Sequence, residues 1–121
     1  MKRKKTLVLG ASLNPNKYSN IAIRRLINKN IETVAIGFRE GKVFNVIIDT
    51  DKRNFKEVNT VTLYLNPKRQ EEYYNYIISL KPERVIFNPG TENTEFMNLS
   101  KEKGIDAEIA CTLVMLSTNQ F

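Results

Sequence analysis

Thr6-Leu7-Val8-Leu9-Gly10-Ala11-Ser12-Leu13-Asn14-Pro15-Asn16-Lys17-Tyr18-Ser19-Asn20, followed at once by Ile21-Ala22-Ile23-Arg24-Arg25-Leu26-Ile27, decides the fold. Residues 6–9 form a continuous uncharged run with no alternation of polar and apolar positions. A strand covered on both faces of a parallel sheet requires that pattern. Gly10 stops the run. Beyond the turn, Ser19 to Asn30 sets Ile21, Ala22, Leu26 and Ile27 at helical spacing, with Arg24, Arg25 and Lys29 turned toward water. Thr33-Val34-Ala35-Ile36, ended by Gly37, repeats the buried-strand pattern. Residues 6–37 therefore read as a strand, a crossover helix and a second parallel strand.

Working outward, Lys42-Val43-Phe44-Asn45-Val46-Ile47-Ile48 looks extended but sits in polar surroundings, and reads as a short accessory strand or an extended loop. Val61-Thr62-Leu63-Tyr64-Leu65 is the third main strand, stopped by Asn66-Pro67. Lys68 to Leu80 is expected to be helical, with Tyr73, Tyr76, Ile77 and Leu80 on one face and the Tyr73-Tyr74 pair used in packing. Arg84-Val85-Ile86-Phe87 is a fourth strand, ended by Asn88-Pro89-Gly90. Thr91 is placed to cap a helix bearing Phe96, Met97 and Leu99, which Gly104 ends. Asp106 to Cys111 is a more polar fifth strand near an edge, and Thr112 to Leu116 a final turn of helix. Alternating strands and helices imply right-handed crossovers. The expected fold is α/β and three-layered, Rossmann-like, with a mostly parallel sheet of about five strands and helices on both faces. One domain spans residues 1–121.

Composition bounds the chemistry. With 121 residues the chain can build one core. Cys111 is the single cysteine and there is no histidine, so an intrachain disulfide, a Cys/His zinc site and every Ser-His-Asp or Cys-His arrangement are excluded. No catalytic and no metal-binding residue is assigned, and Cys111 reads as a buried thiol in a reducing, cytoplasmic setting. Met1-Lys2-Arg3-Lys4-Lys5 resembles the start of a secretory leader, but the apolar run behind it stops too early, which makes it a basic lead-in to a buried strand. No stretch approaches the roughly 18 apolar residues that cross a bilayer, so no membrane partner is expected. The formal charge of +6 draws on four basic residues within the first five positions. What remains suits a small anionic ligand, and no nucleic-acid partner is expected. Asp49 and Asp51, beside Lys52 and Arg53, read as loop charges. Glu92 either faces a strand-end site or adds a charge to the first turn of a helix.

In open parallel sheets ligands bind at the carboxyl ends of the strands, and here those ends carry Gly10, Gly37, Asn66-Pro67 and Asn88-Pro89-Gly90. Part of that recurrence is turn chemistry alone. The first turn is richer. Gly10, Ala11 and Ser12 are small enough for backbone to approach a phosphate beside a helix N-terminus, where free N–H groups and the helix dipole attract an anion. Ser12 and Ser19 offer hydroxyls and Lys17 a charge, with Asn14, Tyr18 and Asn20 completing the loop. The dinucleotide fingerprint GxGxxG is met only at Gly10, since Ser12 and Pro15 occupy the other glycine positions, and the phosphate loop GxxxxGK[ST] is absent. The carboxylate that holds the NAD ribose after the second strand is replaced by Phe38-Arg39. An arginine there favours a phosphorylated ribose, as in NADP or coenzyme A, with Arg39 and Lys42 as candidate partners of that phosphate and a solvated basic loop as the competing reading.

Taken in order, Gly10-Ala11-Ser12 with Pro15, Lys17, Tyr18, Ser19 and Asn20, then Tyr64-Leu65-Asn66-Pro67, then Phe87-Asn88-Pro89-Gly90-Thr91-Glu92-Asn93, and finally Cys111, resemble the stand-alone CoA-binding domain proteins. These are similar to the CoA-binding domain of the succinyl-CoA synthetase alpha subunit. The resemblance covers nearly the whole chain. It implies that residues 10–20 receive the phosphates of coenzyme A or an acyl-CoA, flanked by Gly37-Phe38-Arg39 and Asn66-Pro67. The synthetase carries its phosphorylated histidine in a further domain of the alpha subunit, so the resemblance implies binding without catalysis by this chain alone. An NADP-dependent or other nucleotide-using enzyme is the alternative. A homodimer or an unidentified protein partner is left open.

Overall fold

The computed structural model describes residues 4–121. Met1, Lys2 and Arg3 of the basic lead-in lie outside the described residues. Along the chain come β1 (Thr6–Ala11), α1 (Tyr18–Asn28), β2 (Thr33–Gly37), β3 (Gly41–Val43), β4 (Val46–Asp49), β5 (Thr60–Leu63), α2 (Pro67–Gln70), α3 (Tyr74–Leu80), β6 (Arg84–Phe87), α4 (Thr94–Glu102), β7 (Asp106–Ile109) and α5 (Thr112–Ser117). One sheet holds all the strands in the order β3-β4-β2-β1-β5-β6-β7. Every neighbouring pair is parallel except β3 with β4. The expected Rossmann-like α/β architecture is present, with seven strands where about five were anticipated.

The two additional strands are the segment that sequence left as accessory strand or loop. Val46 and Ile48 are buried while Ile47 between them is exposed, the alternation of a strand covered on one face. Phe44 and Asn45 form the tight turn, and Phe44 takes φ +54°, a left-handed conformation that glycine or asparagine would ordinarily announce. A phenylalanine there conceals the hairpin from sequence.

The alternation along β1 builds the core. Leu7 and Leu9 face one layer with Val61, Leu63, Val85 and Phe87, against Ile77 of α3 and Phe96 of α4. Val8 faces the other with Ala35 and Ile48, against Ile23 and Leu26 of α1 and Leu116 of α5. Each such aliphatic side chain removed from water contributes roughly 1.5–3 kcal/mol. The tyrosine pair packs as expected: Tyr73 is buried, and Tyr74 stacks on Phe96 at 4.4 Å between ring centroids.

Helical boundaries moved at two places. The single helix expected over 68–80 is split by a 3₁₀ turn at Glu71–Tyr73, where Tyr73 takes φ −105° and ψ −3°. The cap of α4 is Asn93, whose side chain accepts from the Phe96 N–H at 3.1 Å. Thr91 belongs instead to a turn begun at Asn88, to whose carbonyl it donates both its N–H and its hydroxyl. A buried amide ties these neighbouring loops together. Gln70 donates to the carbonyls of Leu65 and Thr91, both at 2.8 Å, and accepts from Asn93 at 2.9 Å. Among the described residues no helix is long and apolar enough to cross a membrane.

Candidate functional site

The strand order reverses at β1 and β5, since the connection after β1 runs through α1 on one face of the sheet and that after β5 through α2 and α3 on the other. At the carboxyl ends of these strands lies a cleft of about 780 Å³. Two glycines set how closely the strand ends approach. A Cβ on Gly10, at φ +96°, would lie 2.8 Å from the backbone C and O of Tyr64. A Cβ on Gly37 would lie 2.2 Å from the carbonyl oxygen of Ala11. Both positions are glycine because neighbouring backbone occupies the space a side chain would need.

The loop between β1 and α1 is shaped by its own side chains. Ser12 Oγ accepts from the Asn14 N–H at 3.1 Å, and Asn14 Oδ1 from the Asn16 N–H at 2.9 Å. Beneath it, buried Asn20 donates to the Ser12 carbonyl at 2.9 Å and accepts from Arg24 Nε at 2.9 Å. Arg24 in turn donates to the Pro15 carbonyl at 2.8 Å, so this arginine holds the loop where helical spacing had turned it toward water. The N-terminus of α1 has no side-chain cap and no acidic residue in its first turn. Its dipole and first N–H groups are therefore offered to whatever occupies the cleft.

Eight of the residues singled out from sequence line this cleft: Gly10, Ala11, Ser12, Lys17, Tyr18 and Ser19 from the first turn, with Phe38 and Arg39 after β2. Leu13 and Asn16, inside the 10–20 stretch but not singled out there, and Tyr64, quoted only as part of a motif, join them. Leu13, Tyr18 and Phe38 are large apolar groups left 42%, 65% and 61% exposed, which gives the cleft apolar surface alongside its polar groups. Tyr64 adds a phenol whose oxygen is buried and lacks a hydrogen-bond partner. Burial pushes its pKa up to about 12, tempered by the nearby Thr62 and Thr112 hydroxyls, which bond each other at 2.8 Å. The signal for Tyr64 was its place at the end of β5, next to Asn66-Pro67.

The remaining sequence candidates sit around the cleft. Asn14 is spent within the loop, Asn20 lies beneath it, and Gly37 packs behind it. Lys42 lies on β3 at the sheet edge, exposed and paired across the hairpin with Ile47. Asn66 caps α2, accepting from the Arg69 N–H at 2.9 Å, with Pro67 in the first helical turn. Asn88 is buried, donating to Thr62 Oγ1 at 2.7 Å and to the Leu63 carbonyl at 2.8 Å, and accepting from the Thr112 N–H at 2.8 Å. Pro89 and Gly90 form an exposed turn whose Gly90 N–H donates to Glu92 at 2.8 Å, so Glu92 closes its own turn ahead of the helix. Cys111 is half-buried at the N-cap of α5, more accessible than the buried thiol anticipated. Asp49 pairs with Arg53 at 2.8 Å, and no group of three potential metal ligands occurs among the described residues.

The model of a protein family described as a CoA binding domain matches residues 4–117. The crystal structure of an uncharacterized protein is 47% identical and superposes with a TM-score of 0.96, covering 100% of both chains. Cell-free ID.343 from Thermus thermophilus is 20% identical with a TM-score of 0.86, over 98% of this chain and 91% of that one. The dinucleotide-forming acetyl-coenzyme A synthetase 1 of Ca. Korarchaeum cryptofilum, solved with phosphate and ADP, is 12% identical with a TM-score of 0.71. That likeness takes in 90% of this chain and 26% of the synthetase, and concerns the fold alone. No curated protein matches the chain.

Proposed function

The chain belongs to the CoA-binding domain family, and from that premise we propose that its β1–α1 loop receives the phosphates of coenzyme A or an acyl-CoA. The observation that carries this reading is the uncapped N-terminus of α1 opening into a cleft of about 780 Å³. A pyrophosphate set there meets backbone N–H groups and the positive end of the helix dipole. Ser12 and Ser19 add hydroxyl donors and Lys17 adds charge. Phe38 and Tyr18 supply the flat apolar surface that an adenine ring can cover, and Arg39 stands where a phosphorylated ribose would lie.

The ionisable side chains of the cleft are Lys17, Tyr18, Arg39 and Tyr64. Lys17 and Arg39 supply positive charge for an anion, while the phenol oxygen of Tyr64 is buried. The reading is accordingly of binding, with any group transfer left to a partner. Arg39 equally favours NADP, and a nucleotide-using enzyme is the second reading. Calorimetry with coenzyme A, acetyl-CoA, NADP, NAD and ADP tests both. Coenzyme A or its acetyl ester binding more tightly than NADP supports the first reading, NADP binding more tightly supports the second, and binding of none at millimolar ligand removes both. Lys17→Ala weakens the favoured nucleotide while leaving the thermal midpoint unchanged, because Lys17 is exposed and its side chain is no helix cap.

A further inference from the structure

Lys42, one of the two candidate cations for a ribose phosphate, lies on the edge strand, whereas another cation, Arg69, reaches a residue that lines the cleft. The Arg69 guanidinium of α2 lies over the ring of Phe38, 4.7 Å from its centroid. Phe38 follows β2 and Arg69 follows β5, so their contact spans the end of β1, which lies between those strands. Arg69 thereby packs on the residue that precedes Arg39 in the chain.

Among the described residues, neither Arg39 nor Arg69 takes part in an ion pair, and neither guanidinium donates a hydrogen bond to protein. The bond from the Arg69 N–H to Asn66 fixes its backbone only. The ring contact is weak because both partners are exposed, 61% in the case of Phe38. Two guanidinium groups that bind no protein acceptor, Arg39 and the Arg69 that lies on the ring of its chain neighbour, thus belong to the end of the second strand. In dinucleotide folds the adenosine ribose lies there, away from the pyrophosphate at the first turn. A guanidinium matches phosphate oxygens two at a time, and two of them balance the nearly double charge of a phosphate monoester.

We propose that Arg69 is a specificity-determining residue that, with Arg39, grips a phosphate monoester on the ribose of the bound nucleotide. This rests on the cleft being a nucleotide site and adds which part of the nucleotide it discriminates. Phe38 holds Arg69 over the mouth of the cleft, and the side chain swings from ring to phosphate as the ligand seats.

Calorimetry on the unaltered protein, Arg69→Ala and Arg69→Lys, each with coenzyme A and 3′-dephospho-coenzyme A, tests the proposal. The same pairing of NADP with NAD serves if the unaltered protein prefers NADP. Arg69→Ala is expected to weaken the phosphorylated ligand at least tenfold and to leave its dephosphorylated form within twofold. Arg69→Lys recovers part of the loss through charge alone. Equal weakening of both ligands, or no change in either, overturns the role of Arg69 while leaving the cleft a nucleotide site. An unaltered protein that binds none of the four overturns the nucleotide reading itself, a result visible before any variant is made. Thermal melting of both variants, with midpoints matching the unaltered protein, places the effect in recognition and not in folding.

Discussion

Replacing Asn88 by alanine would test whether this strand-end asparagine acts through the fold or through a ligand. Its amide is buried and makes three hydrogen bonds, to Thr62 Oγ1, to the Leu63 carbonyl and from the Thr112 N–H, all between 2.7 and 2.8 Å. At about 1 kcal/mol for each neutral bond the loss is about 3 kcal/mol, and the orphaned Thr112 N–H and Leu63 carbonyl raise it toward about 4–5 kcal/mol. For a domain of this size such a loss lowers Tm by about 10–20 °C. Equilibrium urea unfolding measures it directly, as a lower midpoint with an unchanged slope. Asn88→Asp sharpens the result. A charged carboxylate would face the Leu63 carbonyl oxygen, so burial raises its pKa, and the variant gains stability relative to wild type as pH falls and the acid regains a proton to donate. A cost below about 1 kcal/mol for Asn88→Ala would refute the reasoning, because the three bonds would then have equivalent replacements.

Further expectations follow from the glycines and the phenols. Gly37→Ala drives a methyl against the Ala11 carbonyl, which belongs to backbone and cannot swing away, and costs about 2–3 kcal/mol or more in urea unfolding. Gly90→Ala meets nothing within 4 Å and costs only the left-handed backbone at φ +89°, about 1–2 kcal/mol by the same measurement. Tyr64→Phe removes a buried hydroxyl without a partner, and its stability at pH 7 equals that of wild type or exceeds it by up to about 1 kcal/mol; a larger loss would reveal a partner for that hydroxyl. Tyr64 and Tyr76 both have folded pKa values raised to about 12 from 10.0, chiefly by burial. Their contribution is complete below the unfolded value and fades as pH rises from 10 through 12, so Tm declines over that window and ultraviolet titration finds two phenols ionising late.

The parallel sheet was legible because its central strands are covered on both faces, and residues 7–9, 34–36 and 85–87 betray this as unbroken apolar runs. The hairpin of β3 and β4 was not, since its turn is built on Phe44 in a glycine-like conformation. Much of the cleft was legible for a local reason: loop and helix start are contiguous, so residues 10–19 arrive together. What sequence could not show is which polar residues face inward to hold the frame. Asn20 and Asn88 carry the same chemistry as ligand residues, and only their burial and their bonds to main-chain groups reveal them as supports. The approach of Arg69 to Phe38 was hidden for the opposite reason, as it joins elements that are far apart in the chain. Gly10→Val would collide with the backbone of Tyr64 and so reports on folding before it reports on any ligand.

Gln70 has a consequence in time. With no exposed surface, and with its amide nitrogen and oxygen all engaged, it staples the loop after β5 to the loop after β6. That side of the molecule rides with the sheet, and the motion left for ligand capture is the swing of exposed side chains such as Tyr18, Phe38 and Arg69, which takes nanoseconds or less. If the cleft is the proposed nucleotide site, encounter is set by diffusion and charge, and nucleotides are told apart by how long they stay.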